Sequence, residues 1–363
     1  MLMGTINHLL FRRLLFAWYK SHQRSLPWRI TKDPYKIWLS EIILQQTRVV
    51  QGLPYYERFV AKYPSVMALA TATEQEVLRL WQGLGYYSRA RNLHHCAQTI
   101  VAQYDGVFPT SYRELLMLKG IGPYTAAAIA ATAFKEVVAA VDGNVYRVLA
   151  RIFGLTYDIG TPQGRKQMHQ FATLLVDPIQ PDTYSQAIMD FGALQCTPAA
   201  PFCTTCPFER YCIAAYTDRQ KTLPVKSNRL NKRIRYFDYF ILQYKEVIYM
   251  KKRLKSDIWK GMYDFYLLEN QQRLVVDQID DPLFTLAKKH QLPITTFEKE
   301  ACHLLTHQKL FVKFHKIELT SAFLQEAKYL LSQFSLVAFN RTEIETLPKP
   351  ILIHSLLKKL NFT

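Results

Sequence analysis

Four of the six cysteines fall within 17 residues, spaced Cys196-x6-Cys203-x2-Cys206-x5-Cys212. Thiolates are the usual protein ligands of iron–sulfur clusters, and four complete one cubane. Zinc also accepts four thiolates, commonly from two Cys-x2-Cys pairs. This chain has one such pair, so the spacing favours iron–sulfur and leaves zinc open. A disulfide framework suits a short secreted chain and not this one. Cys96 and Cys302 stand alone and read as ordinary thiols.

Two carboxylates lie in contexts that could do proton and charge chemistry. Glu41 sits among Leu39, Ile42, Ile43 and Leu44. Partial burial there would raise its pKa and let it donate a proton near neutral pH; a buried partner of an arginine is the plainer role. Asp142 opens Asp142-Gly143-Asn144-Val145, where an aspartate can cap a helix. Between them lies Lys119-Gly120-Ile121-Gly122-Pro123-Tyr124. Two glycines spaced by one residue admit an ordinary turn, or a close approach of backbone N–H groups to an anion. The small-residue helix start that follows would add its dipole.

These residues need a frame. Apolar spacing near three and four predicts helices over residues 37–50, 74–82 and 125–134, within a helical region 1–215 that shows no long alternating strand. Residues 216–235 are rich in Lys and Arg and read as a basic linker. Residues 236–363 change character: strands are expected at 239–243, 247–250 and 310–319, with a turn at Tyr244-Lys245-Glu246 and a final helix over 350–360. The expected fold class is mainly α in the N-terminal region, followed by an α+β domain. Lys and Arg total 46 and Asp and Glu 29, a net charge of +17, which makes nucleic acid the leading specific partner. With 49 % hydrophobic residues the chain is not disordered. No run of apolar residues is long enough to span a membrane, and Arg12 and Arg13 interrupt the N-terminal apolar stretch. A soluble, cytoplasmic, nucleoid-associated monomer is expected.

The segment Ser40-Glu41-Ile42-Ile43-Leu44-Gln45-Gln46-Thr47 closely resembles the MutY family of adenine DNA glycosylases, and the resemblance continues through Leu26-Pro27-Trp28-Arg29 and Gly83-Leu84-Gly85-Tyr86-Tyr87. It covers nearly all of residues 8–215 and implies a helix-hairpin-helix glycosylase fold. The cysteine spacing resembles the [4Fe–4S] loop (196–212) of that family and of endonuclease III. Glu41 then matches the residue that protonates adenine at N7, and Asp142 the carboxylate that stabilises the sugar's oxocarbenium charge. Asn144 and Tyr124 match residues beside Asp142; Arg29 and Gln186 match the adenine pocket. Gln46 and Tyr86 match side chains that enter the duplex, and Gly120 and Gly122 the hairpin that holds a phosphate. Endonuclease III carries a lysine nucleophile where this chain has Tyr124, and Lys119 lies on the wrong side of the hairpin. The resemblance therefore implies a monofunctional glycosylase acting on double-stranded DNA with adenine opposite 8-oxoguanine or guanine. The alternatives are an endonuclease III-like glycosylase/lyase and a non-catalytic iron–sulfur DNA-binding protein.

Residues 236–363 resemble the MutT/Nudix-like domain of that family less closely. Trp259-Lys260-Gly261-Met262-Tyr263-Asp264-Phe265 follows its tryptophan–glycine segment without the usual proline after the aromatic. The carboxylate motif that would hold Mg²⁺ for pyrophosphate hydrolysis is absent, so this domain is expected to bind and not hydrolyse. Leu305-Thr306-His307 matches the loop that recognises 8-oxoguanine, where the family commonly has Phe-Ser-His. The hydroxyl and imidazole are kept and the aromatic is lost.

Overall fold

The computed structural model describes residues 6–227, 232–273, 275, 279–297, 300–305 and 307–362. The chain forms two compact units: Met1–Thr71 with Asn92–Arg229, and Ala72–Arg91 with Leu230–Thr363. The sequence reading cuts the chain once, near 216–235; the structure instead groups residues 72–91 with the C-terminal part. No helix among the described residues is long and apolar enough to cross a membrane.

The first unit is helical. Asp33 caps the helix Pro34–Leu44 by accepting from Tyr35 N–H at 3.0 Å. Tyr35, Ile37, Trp38, Leu39, Ser40, Ile42 and Ile43 are all buried, so most of this helix is enclosed. It packs on the helix Pro123–Phe134, whose run from Thr125 to Thr132 is buried throughout. Alanines dominate that run, so the two backbones can approach closely. Helix Pro181–Asp190 packs on Pro123–Phe134, on Gly143–Phe153 and on His8–His22. Phe11, Leu15, Trp18, Val148, Leu149, Ile188 and Phe191 share the core between these last three.

Two expectations for this unit are corrected. The apolar pattern over 37–50 is not one helix. It stops at Leu44, and a second helix runs Val49–Lys62. The two pack through Gly52, where a Cβ would lie 2.7 Å from Leu44 Cδ2. Both face the same core, so the periodicity runs on across the turn that separates them. Gln46, in that turn, has φ +57°. The other concerns the expected basic linker 216–235, whose described first part, 216–227, is packed on the helical unit. Leu223 is buried, Ile159 N–H donates to Val225 O at 3.0 Å, and Ser227 N–H donates to Asp158 Oδ1 at 3.1 Å. The segment is therefore anchored to the helical unit through Ser227, and strand begins at Arg233.

The second unit is built on a sheet of β1 (Arg233–Tyr244), β2 (Val247–Lys252), β3 (Tyr263–Asp264), β4 (Tyr266–Asn270), β5 (Ile294–Thr296), β6 (Ala301–Leu304), β7 (Gln308–Glu318) and β8 (Val337–Asn340). The path β3-β2-β1-β7-β5 is extended by β4 on β1, β6 on β7 and β8 on β2. Among the described residues only β1 and β7 pair in parallel. Phe240, Leu242, Ile317, Phe284 and Phe323 form a core under the helices Pro282–Lys289 and Ser321–Gln333. β1 is longer than the expected 239–243, because its charged N-terminal half is satisfied. Arg235 spends all five N–H donors on Asp257, Glu269 and Gln308, at 2.6 to 2.9 Å. The loop between β6 and β7 carries Leu305 and His307; Thr306 lies outside the described residues. Leu305 N–H donates to Gln308 O, and Arg233 N–H to His307 O, each at 2.9 Å.

Candidate active site

A cavity of about 750 Å³ opens in the first unit, within the usual size of small-molecule sites. Glu41, Asp142, Asn144, Tyr124, Arg29, Gln186 and Gln46 all line it, so the fold gathers these seven expected residues from distant parts of the chain. Glu41 projects from the mostly apolar helix Pro34–Leu44. Burial pushes its pKa up to about 7; Tyr124 and Arg29 pull it down, and Asp142 adds to the rise. The Tyr124 hydroxyl hydrogen-bonds the Glu41 carboxylate and also lies 3.1 Å from Met189 Sδ.

Asp142 caps the helix Gly143–Phe153. Its Oδ1 accepts from Asn144 N–H at 2.8 Å and Val145 N–H at 2.9 Å; its Oδ2 accepts from Asn144 Nδ2 at 2.7 Å. Burial raises its pKa, and these bonds oppose the rise. The cap and the cavity-facing carboxylate are thus the same group. Arg147 braces Asn144 through Oδ1 at 2.7 Å and also reaches Gly192 O and Cys196 O. Gly192 is required by close approach, since a Cβ there would lie 2.6 Å from Asn144 Cβ.

The hairpin glycines precede the helix Pro123–Phe134. Gly120 has φ +88°, and its Cβ position would meet Asn92. Gly122 is the N-cap, and a Cβ there would meet nothing within 4 Å. The first-turn N–H groups have no intrahelical acceptor, so this end can receive an anion.

Cys196, Cys203, Cys206 and Cys212 line one small cavity with Arg151, Phe191 and Gln195. Among the described residues no three of His, Cys, Asp and Glu gather tightly enough to hold a single metal ion. Burial pushes the Cys206 thiol up to about 12, and the other three thiols add to the rise. Arg151 donates to Cys196 Sγ at 3.5 Å, a contact that suits a thiolate.

In the second unit, Tyr86, Tyr87, Arg91, Trp259, Leu305 and His307 line a cavity of about 290 Å³. Tyr86 has φ +49° and is 47 % exposed; the Arg89 guanidinium lies 5.5 Å from its ring centre. The fold thus brings Tyr86 beside the 305–307 loop. Sequence reasoning missed Arg24, Trp28 and Met189 on the large cavity. It also missed Asp190, which binds both Arg24 and Arg29. An aspartate amid Ala187, Ile188, Met189 and Phe191 signals a buried ion pair, but its partners lie over 160 positions away.

The family model for the HhH-GPD superfamily of base excision DNA repair proteins matches residues 39–174, and fold and site together define the class: a DNA glycosylase. An adenine DNA glycosylase of Buchnera aphidicola subsp. Baizongia pistaciae is 35 % identical over 264 residues, covering 71 % of this chain and 73 % of that protein. The adenine DNA glycosylase of Homo sapiens is 40 % identical over 222 residues, covering 59 % of this chain and 41 % of the human protein. A solved thermostable thymine-DNA glycosylase is 29 % identical with TM-score 0.54, covering 58 % of this chain and 97 % of its own. Endonuclease III in a non-covalent DNA complex shares the fold at TM-score 0.52 and 20 % identity, over 60 % of this chain and 100 % of that one. This chain belongs to the adenine DNA glycosylase family.

Proposed function

We propose that the enzyme hydrolyses the N-glycosidic bond of adenine mispaired with 8-oxoguanine or guanine in duplex DNA and leaves an abasic site. The observation that carries this reading is the shared cavity of Glu41 and Asp142, with Glu41 held near pKa 7. A flipped adenine enters between Arg29 and Gln186. Glu41 gives its proton to N7, and the C1′–N9 electron pair leaves with the base. Asp142, oriented by Asn144 and Val145, faces the oxocarbenium charge as the bond breaks. Water then adds to C1′ and gives its proton to the Glu41 carboxylate, which restores the acid. The described residues lining the cavity include no lysine, and Schiff-base strand cleavage needs an amine; this supports base release without a nick.

The 290 Å³ cavity of Tyr86, Leu305 and His307 supports reading of the opposite base. Gly120, Gly122 and the basic surface serve phosphate contact. Cys196, Cys203, Cys206 and Cys212 would hold a [4Fe–4S] cluster, a structural and redox-capable group.

The test is base release from duplexes carrying adenine opposite 8-oxoguanine, guanine or cytosine, with strands read before and after alkali. Release without a nick until alkali is added is expected. Glu41→Gln should lower release about 10²- to 10⁴-fold, the usual worth of a positioned acid, with DNA binding retained. Full activity in that variant, or efficient borohydride trapping by the native enzyme, overturns the reading.

A further inference from the structure

We infer that Asp190 is a positioning residue, which clamps the Arg24 and Arg29 guanidinium groups at the cavity wall and offsets the Arg29 charge where it faces Glu41. The inference rests on the reading of Glu41 as the acid. Asp190 ends the helix Pro181–Asp190, and its side chain is wholly buried. It lies behind the cavity, not on the lining, whereas Arg24 and Arg29 are both on the lining. Oδ1 accepts from Arg24 Nε at 2.8 Å, Arg24 Nη2 at 2.5 Å and Arg29 Nη2 at 2.7 Å. Oδ2 accepts from Arg29 Nη1 and, at 3.3 Å, from Arg24 N–H.

Such a cradle does two things. It fixes the planar fork of Arg29, which an unpaired side chain would not hold. It also supplies a buried anion to a buried cation, without which the guanidinium field would fall on the next carboxylate. That carboxylate is Glu41. The groups facing Glu41 are Tyr124 from the helix Pro123–Phe134, Asp142 at the cap of Gly143–Phe153, and Arg29. Those facing Arg29 are Asp190, Glu41 and Tyr19 from His8–His22, whose hydroxyl donates to Gln186. Burial works against an anion at Asp190, and the two arginines more than reverse this, so its pKa falls below the usual range. Asp190 is therefore charged wherever Glu41 titrates. A general acid must start protonated, so strengthening Arg29's pull on Glu41 would end the active form at lower pH.

The test is the single-turnover rate of base release against pH, on a duplex with adenine opposite 8-oxoguanine. In Asp190→Asn the alkaline limb should move down by roughly one pH unit. Asp190→Glu should restore it in part. A merely structural role would lower the rate alike at every pH and leave the limb in place; that outcome overturns the inference. Should Asp190→Asn fail to fold, Arg29→Met decides. Removing the cation should move the limb upward, and an unmoved limb overturns the proposal. Inactive Glu41→Gln with an unmoved limb in Asp190→Asn sinks this inference alone; active Glu41→Gln sinks the reading beneath it.

Discussion

The two units handle buried charge in opposite ways. In the sheet unit, Arg235 is enclosed and donates every N–H to Asp257, Glu269 and Gln308. Burial works against its charge, but the two carboxylates more than compensate, so its pKa rises further. For Asp257 the arginines likewise outweigh burial and hold its pKa down. Both shifts hold the Arg235–Asp257 pair charged at neutral pH, where it serves as scaffold. In the helical unit, Asp190 takes up Arg24 and Arg29, while Glu41 keeps a tyrosine and a second carboxylate as near neighbours. Complete pairing makes an inert brace. A carboxylate whose nearest cation is already engaged makes an acid near neutral pH.

The largest effect expected from this contrast is pH dependence. With Glu41 titrating near 7, base release should fall about tenfold for each pH unit above that point. A flat profile through the alkaline range would break the comparison on the helical side. On the sheet side, Arg235→Met leaves Asp257 and Glu269 without their shared cation. It should lower stability by about 2–3 kcal/mol in denaturant titration. This is less than a fully buried pair would cost, because both carboxylates reach solvent. An unchanged midpoint would show that the knot braces nothing.

Smaller effects probe the supports. Gly192→Ala would push on Asn144 and so on Asp142. Single-turnover release should drop roughly tenfold with Km little changed, as expected for a displaced catalytic group. Smallest is Leu305→Phe, which returns an aromatic to the 290 Å³ cavity. The preference for adenine opposite 8-oxoguanine over adenine opposite guanine should rise about five-fold, a stacking gain of about 1 kcal/mol. An unchanged ratio would mean that this cavity does not read the opposite base.

Much of the site was legible in the sequence because its chemistry is written locally. The cysteine spacing, the acid in an apolar helix, the Gly-x-Gly turn and the Asp-Gly-Asn cap each declare themselves within a few residues. So did the helical character of the first part and the strands of the second. The β1–β2 hairpin closes where expected, but through Lys245-Glu246 alone, since Tyr244 still pairs with Val247 in the strand. Other features came only with the packing. The apolar period runs through 37–50 because two helices share one core, and only the contact at Gly52 shows the break. Residues 72–91 belong with the sheet unit, which no local pattern announces. The composition of 216–235 reads as a basic linker, and nothing local announces that Leu223 within it is buried.

The sequence by itself determined which groups can do chemistry: two carboxylates, four thiols and a glycine hairpin. Tertiary structure alone decided how strongly each is charged. The reason is that a pKa depends on burial and on the nearest opposite charge. For Glu41 burial sets that balance first and Tyr124, Asp142 and Arg29 adjust it, while Asp190 engages Arg29 from 161 positions away in the chain.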